Sequence, residues 1–339
     1  MSDALPERWR VWLAENLIRG VPHQDLVAPL LAEGYAEEAV RAELAAADAH
    51  PYLAAGRRVQ RALARRDWLL GALDALRRLD PERLAPERLE RRPLPDLATF
   101  VREHYAPSAP AVFADVAAGW PAQAWTPADL AARFGEVEVE VQAGREQDPL
   151  YELRSDRHKQ RMPLADFVQG ITRARGNDLY LTANNAGANR ALQAELFREL
   201  GPVGELLDMT VLPAGAFLWL GPAGVVTPLH HDLTNNLVVQ LFGRKRFLLI
   251  PALQVPWLYN FQHVYSQVDL RDPDLERFPD LARVTPLEVV LEPGDALFLP
   301  LAWWHWVEGL SVSISLSFTN FALPNSYPRA AEPLEDTRT

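Results

Sequence analysis

The feature that most constrains the fold is a series of short strand-like segments that fills the second half of the chain. From Phe217 onward, apolar and β-branched runs alternate with turns that contain Gly, Pro and Asn. The predicted strands cover residues 217–220, 236–242, 245–250, 287–291, 296–299 and 311–321. No alternation of strands with helices is visible, which argues against a doubly wound parallel sheet. Many short strands joined by turns predict a sandwich or barrel.

Two of these segments, 236–242 and 245–250, are separated only by Gly243 and Arg244. So short a connection predicts that the two strands pair as a hairpin. Asn236 would begin the first strand and Lys245 the second. We expect both side chains to reach the same cavity.

The chain before residue 85 follows a different pattern. Leucines at helical spacing, interrupted at Gly20 and Gly34, predict several helices. A linker rich in proline and charge follows. We therefore predict a helical N-terminal domain over 1–85, a mainly β domain with helices over 90–325 and a polar tail over 326–339. Three roles for the helical domain stay open: a recruitment module, a plain structural extension, and a dimerising extension that would make the protein a homodimer.

Composition narrows the classes of function. The chain has no cysteine, so disulfides and thiolate metal sites are excluded, and any metal must be bound by His, Asp or Glu. The net charge of −11 argues against nucleic acid as the main partner. No apolar run is long enough to cross a membrane, and the first residues do not resemble a secretory signal. We expect a cytoplasmic protein that does not contact a membrane.

A candidate metal site begins at His230-His231-Asp232. Side chains at positions i and i+2 point to one face only in extended structure, so His230 and Asp232 can bind one ion if this stretch is a strand. Pro228 favours that conformation because it biases the residue before it toward extended backbone. A second His-x-Asp, at His23 and Asp25, lies in a helical pattern and is interpreted as structural.

The third candidate ligand is His305, which lies among Trp303, Trp304 and Trp306. A single histidine surrounded by aromatic residues is often no more than a packed core residue. Here the apolar surroundings would also exclude water from a reactive metal. Two imidazoles and one carboxylate on one face are typical of non-haem Fe(II) oxygenases, in which further metal positions stay open.

Lysine is rare in this chain. Arg supplies almost all of the positive charge, and the two lysines are Lys159 and Lys245. If Lys245 reaches into the cavity, it needs an anion, because an unpaired buried charge is costly. A dicarboxylate cosubstrate would supply that anion and would reach the metal with its other end.

Several ordered motifs together resemble the JmjC or cupin-like family of Fe(II)- and 2-oxoglutarate-dependent oxygenases. Within that family they are most similar to the subgroup of the asparaginyl hydroxylase that modifies hypoxia-inducible factor. The resemblance covers about residues 90–325. Its motifs are Leu179-Tyr180-Leu181, Thr227 to Asp232, Asn236, Gly243 to Arg246, Ser266 to Asp269, Arg277-Phe278-Pro279 and Pro293-Gly294-Asp295 through His305.

The resemblance implies a double-stranded β-helix, also called a jelly-roll or cupin barrel, with flanking helices. It also implies a metal site in which Fe(II) is held by His230, Asp232 and His305. The cofactors would be Fe(II) and the cosubstrate 2-oxoglutarate. The reaction would consume O2 and release succinate and CO2.

The resemblance further assigns the contacts of the cosubstrate. Lys245 would pair with the distal carboxylate, helped by the hydroxyl groups of Thr227 and Tyr180. Asn236 would lie beside the cosubstrate near the metal. Ser317 stands where the asparaginyl hydroxylase has Asn, and its hydroxyl group can still hydrogen-bond the cosubstrate or a water molecule.

The family implies hydroxylation of a substrate, with a protein or peptide side chain as the preferred one. Demethylation stays open, because removal of an N-methyl group begins with the same hydroxylation. A tRNA-base hydroxylase is a further alternative that the acidic charge disfavours. Two alternatives come from other classes: a cupin barrel that only binds a partner, and a zinc-dependent cupin isomerase.

Overall fold

A computed structural model describes residues 5–79 and 87–327. The predicted domain boundary near residue 85 and most of the predicted tail over 326–339 lie outside these residues. The chain divides into two compact units, residues 1–75 and 76–339. Among the described residues, no helix is both long enough and apolar enough to cross a membrane.

The N-terminal unit is a helical bundle with its own apolar core. Its helices are α1 (Glu7–Arg19), α2 (His23–Ala32), α3 (Glu37–Ala49) and α4 (Pro51–Arg77), the last of which continues past the unit's end. Leu17, Leu30 and Leu44 are among the buried side chains of this core. Helix α1 ends at Gly20, whose φ of 86° suits a residue without a Cβ. His23 begins α2 and contacts Asp48 at 2.9 Å, so this histidine has a structural partner.

The second unit has short helices and many strands. The helices are α5 (Leu97–Phe100), α6 (Pro127–Phe134), α7 (Leu164–Arg173) and α8 (Arg190–Leu196). Helix α6 begins where Thr126 accepts a hydrogen bond from the backbone N–H of Asp129 at 3.0 Å. The strands are β1 (Arg91–Arg92), β2 (Ala111–Phe113), β3 (Glu138–Gln142), β4 (Lys159–Pro163), β5 (Ala216–Gly221), β6 (Val226–His231), β7 (Asn236–Phe242), β8 (Lys245–Ile250), β9 (Asn260–Gln262), β10 (Tyr265–Ser266), β11 (Leu287–Leu291), β12 (Ala296–Leu299), β13 (Trp304–Gly309) and β14 (Ser313–Phe318).

These strands form two six-stranded sheets and a separate pair, β3 with β4. The first sheet has the order β1-β2-β12-β7-β14-β5 and the second the order β11-β8-β13-β6-β10-β9. From β5 to β8, and again from β11 to β14, successive strands alternate between the two sheets. This alternation winds the chain into a double-stranded β-helix, which confirms the predicted fold class, including the helical region that precedes the barrel.

One apolar cluster joins the two sheets of the barrel. Val238 and Leu297 of the first sheet pack in this cluster with Phe247 and Val289 of the second sheet. Burial between two packed sheets is the main driving force for such a sandwich. The cluster therefore fixes the spacing of the strands that carry the candidate site.

The predicted hairpin between 236–242 and 245–250 is wrong. Strand β7 pairs with β12 and β14, whereas β8 pairs with β11 and β13, so the two strands lie in opposite sheets. The chain crosses between the sheets at Gly243, whose φ is +67°. Gln240 stabilises this crossing, because its side-chain amide donates to the carbonyl groups of Phe242 and Gly243 at 2.7 and 3.1 Å.

Candidate metal and cosubstrate site

The two candidate histidine ligands are direct neighbours across two antiparallel strands. His230 on β6 pairs in register with His305 on β13, and their ring centroids lie 4.0 Å apart. Asp232 follows the end of β6, and its Oδ2 lies 3.7 Å from Nε2 of His305. One potential ligand atom from each residue lies within 4.8 Å of the others. The three side chains can therefore contact one cation.

Local hydrogen bonds determine which ring nitrogen each histidine presents. Nδ1 of His230 lies 2.8 Å from the carbonyl oxygen of Pro228, and Nδ1 of His305 lies 3.0 Å from that of Trp303. A carbonyl oxygen only accepts, so each Nδ1 must carry the proton. The lone pair of each Nε2 is then free for a metal, which is the arrangement that metal-binding histidines commonly show.

The His-Asp-His cluster and Lys245 line one cavity with a volume of about 340 Å³. Its other lining residues include Tyr180, Thr227, Asn236 and Ser317. The ammonium group of Lys245 donates to the hydroxyl of Tyr180 at 3.1 Å. Burial lowers the pKa of Lys245 to about 7. Within residues 5–79 and 87–327, Lys245 has no carboxylate within ion-pair distance, so an anion in the cavity would satisfy it.

Residues 97–321 match the cupin-like domain family. The chain belongs to the cupin-like branch of the JmjC 2-oxoglutarate oxygenases. Lysine-specific demethylase JMJ30 of Arabidopsis thaliana is 31% identical over 251 residues, which cover 69% of this chain and 55% of that protein. Lysine-specific demethylase 8 of Xenopus tropicalis is 40% identical over 104 residues, 30% of this chain and 24% of that protein.

A third relative in this JmjC family is not named as a demethylase. HSPB1-associated protein 1 of Rattus norvegicus is 41% identical over 108 residues, which cover 30% of this chain and 22% of that protein. The chain thus spans about half of the first relative (55%) and about a quarter of the other two. The nearer likeness to the asparaginyl hydroxylase subgroup stays a prediction.

The donor set of this JmjC cavity fits a divalent iron. Burial raises the pKa of the Asp232 carboxyl group, although 36% of that side chain faces open space. Burial also lowers the pKa of His305 well below its usual value. A divalent cation would reverse the effect on Asp232, because it stabilises the carboxylate. Asn236 keeps the carboxylate in place by donating to Oδ2 of Asp232 at 2.7 Å.

The structure brings the predicted cosubstrate residues of the JmjC cavity together. The hydroxyl of Tyr180 receives the bond from Lys245, and Thr227 lines the same cavity. Oγ of Ser317 accepts a hydrogen bond from the indole of Trp219 at 2.9 Å, which leaves its own proton for another acceptor. Their roles toward 2-oxoglutarate stay predictions.

The sequence did not indicate three residues near this JmjC site. Glu152 and Asn184 line the cavity, and Arg145 contacts Glu152 at 2.8 Å. Glu152 and Arg145 lie in the connection between β3 and β4, far in sequence from the metal motif. No periodic pattern or special spacing singles out a carboxylate in a loop, and only the folded chain reveals its position.

Proposed function

We propose that this protein is an Fe(II)- and 2-oxoglutarate-dependent oxygenase that hydroxylates its substrate. One observation carries the proposal: a single cavity is lined by a His-Asp-His cluster of correct tautomer and by a buried lysine that lacks a carboxylate partner among the described residues. The first feature suits a metal with open positions. The second suits the far carboxylate of a dicarboxylic cosubstrate.

Each residue has a defined task in this proposal. His230, Asp232 and His305 would hold Fe(II), and Asn236 would orient Asp232. Lys245 would bind the distal carboxylate of 2-oxoglutarate, with hydroxyl groups from Thr227 and Tyr180 beside it and Ser317 as a further hydrogen-bonding group. When bound, iron and 2-oxoglutarate supply the activation of O2, with succinate and CO2 as co-products.

The proposed substrate is a side chain of a protein or peptide. Two relatives are named lysine-specific demethylases, which supports a basic side chain as the group that reacts. Hydroxylation of an N-methyl group would lead to demethylation, whereas hydroxylation of a carbon in the side chain would leave a stable alcohol. Both outcomes use the same residues of this chain.

The test is anaerobic addition of Fe(II) and 2-oxoglutarate to metal-free protein. We expect the weak visible charge-transfer absorption of a chelated 2-oxo acid. His305→Ala should lose this absorption and, once O2 is admitted, all succinate formation. His231→Phe is the matched control, because this neighbouring ring packs edge-on against Trp304 with its centroid 4.8 Å away and is not part of the cluster.

Two outcomes would overturn the proposal. If metal binds but no absorption appears, the barrel is a binding module or a zinc-type isomerase. If His305→Ala keeps both metal and succinate formation, the ligand assignment is wrong.

A further inference from the structure

A stripe of mainly apolar side chains, here called the α4 seam, runs along helix α4 (Pro51–Arg77). Its members recur at alternating intervals of three and four residues, which is the heptad spacing of a coiled coil. In chain order they are Tyr52, Ala55, Val59, Ala62, Arg66, Leu69, Leu73 and Leu76. With an average interval of 3.5 residues, all eight side chains lie on one side of the helix. The pattern predicts that a second helix packs along α4.

The α4 seam is exposed in the single chain. The exposed fraction lies between 42% and 62% for its members Val59, Leu69, Leu73 and Leu76. Helix α4 packs on its own bundle through a different face, where a Cβ added to Gly56 would lie 2.7 Å from Cδ1 of Ile18. A contiguous row of exposed apolar side chains is typical of an interaction surface.

A second copy of this chain is the partner that fits the whole seam. Among the residues that the structure describes, the next longest helices after α4 are α1 and α3, which have 13 residues each and bury their apolar faces in the bundle. Helices α5 to α8 have between four and ten residues. A second copy supplies a helix with the same 27 residues and the same heptad spacing.

The distribution of charge along α4 favours an antiparallel pair. Residues 51–66 contain five arginines and no carboxylate, whereas residues 67–77 contain two aspartates and one arginine. A parallel pair in register would set the two basic halves side by side and would place Arg66 opposite Arg66, and like charges in such positions oppose association. An antiparallel pair places the basic half of each helix beside the less charged half of the other.

One antiparallel register also matches the sizes of the side chains. When Ala62 of one copy faces Leu73 of the other, the small side chain leaves room for the large one. The same register places Val59 opposite Leu76 and Arg66 opposite Leu69. The alkyl part of Arg66 can then cover the leucine while its charged end reaches water. The overlap covers residues 59–76, which is about 27 Å of helix.

We propose that two copies of this chain associate through an antiparallel coiled coil of their α4 helices, with Ala62 of each copy opposite Leu73 of the other. Burial of the α4 seam in both copies removes on the order of 1,000 Å² of accessible surface, which is near the lower limit for a specific interface. We therefore expect a dimer that dissociates on dilution. The inference does not depend on the proposed oxygenase function.

The first test measures the mass of the full-length protein by size-exclusion chromatography with light scattering. At concentrations up to about 100 μM, which would populate a dimer of micromolar dissociation constant, we expect twice the chain mass of 38.0 kDa. The double variant Leu69→Glu/Leu73→Glu should have the mass of one chain, because carboxylates in an apolar seam oppose association. Trp68→Glu is the matched control, since this side chain is 74% exposed but lies outside the seam, and it should stay dimeric.

The second test determines direction and register, and it uses the absence of cysteine from the chain. Ala62→Cys and Leu73→Cys are prepared separately and treated with a short thiol-to-thiol cross-linker, alone and after mixing. We expect covalent dimers from the mixture and few from either variant alone. Ala64→Cys mixed with Leu73→Cys is the control, because Ala64 lies away from the seam, and it should give few cross-links.

Three results would contradict the proposal. A single-chain mass of the unaltered protein at every concentration would overturn it and would leave the α4 seam to a different protein or to solvent. Equal loss of the dimer in Trp68→Glu and in the double variant would place the interface elsewhere. Efficient cross-linking of Ala62→Cys with itself would show a parallel pair and overturn the antiparallel arrangement.

Discussion

At the scale of single residues, the clearest functional signal is a lysine in the wrong place for stability. Lys245 is 3% exposed, and the described residues offer it the hydroxyl of Tyr180 but no counter-charge. Burying an ammonium group without an anion opposes folding. Such a group is better explained by a ligand that completes it than by a structural role.

The pH dependence of stability should report this lysine. The pKa of Lys245 is lowered to about 7 in the folded, cosubstrate-free protein, against roughly 10.4 in an unfolded chain. Between these values the unfolded chain holds a proton that the folded protein has lost, so the free energy of unfolding rises with pH. We expect Lys245→Met to remove up to about 1.4 kcal/mol per pH unit of that slope in denaturant titrations from pH 7 to pH 10.

Lys159 provides the control for this measurement. It is an accessible lysine whose pKa is raised by its pairing with Asp156, a linkage of the opposite sign, so Lys159→Met should not remove the rise in stability from pH 7 to pH 10. Added 2-oxoglutarate should flatten the slope in the unaltered protein because the anion restores the proton to Lys245. A slope that Lys245→Met does not change would show that this amine is charged in the folded state.

At the scale of elements, the sequence predicted strands better than it predicted their partners. The segments 236–242, 245–250, 287–291 and 296–299 coincide with β7, β8, β11 and β12, because each is an apolar run that ends at a turn. Strand β13 was not predicted. Its first three residues, from Trp304 to Trp306, are all buried, so they lack the alternation by which a half-exposed strand is recognised.

The pairing of the strands was not predicted, because it depends on residues that lie far apart in the sequence. The short connection at Gly243 favoured a hairpin by a local rule, whereas the folded barrel gives β7 and β8 buried partners in opposite sheets. The cluster of His230, Asp232 and His305 was predicted from spacing and resemblance. The register that sets the two histidines opposite each other, and the place of Glu152, depend on the closed barrel.

The crossing between the sheets can be tested at Gly243. A Cβ at this position would collide with the carbonyl oxygen of Val312 and the hydroxyl of Ser311, and φ is +67°. We expect Gly243→Ala to cost more than the roughly 1–2 kcal/mol of a left-handed alanine, because backbone atoms must also move. Lys245 lies two residues later and would shift with this backbone, so the affinity for 2-oxoglutarate should fall as well.

Gly119 is the matched control for the crossing. It also has a positive φ, +81°, but nothing lies within 4 Å of an added Cβ. Gly119→Ala should therefore cost only the conformational term in a denaturant titration and should leave cosubstrate affinity unchanged. Equal losses of stability in the two variants would contradict a steric role for Gly243.

At the scale of the whole molecule, the candidate site and the helical bundle belong to different units. All candidate site residues belong to the second unit, and the N-terminal unit has a core of its own. We propose that residues 1–85 serve recruitment or dimerisation and that they take no part in binding iron or 2-oxoglutarate.

A fragment of residues 87–339 tests this division. We expect it to fold and to give the same charge-transfer absorption and the same dissociation constant for 2-oxoglutarate as the full chain, within about twofold, because the barrel holds every proposed contact. Size-exclusion chromatography with light scattering on both forms would show whether residues 1–85 mediate dimer formation. A fragment that folds but loses the absorption would contradict the division.

Because Lys245 is buried and lysine is rare in this chain, an amine-directed label can report on a single interior side chain. Amine-directed labels usually mark dozens of sites on a protein surface, but this chain has two lysine side chains. Lys159 is accessible to a label, whereas Lys245 is buried and can be reached only through the cavity or when the barrel opens. The mass of the intact labelled chain thus distinguishes surface chemistry from interior chemistry. After the fast labels on Lys159 and on the α-amino group, the rate at which one further label appears reports access to Lys245, and occupancy of the cavity should slow it.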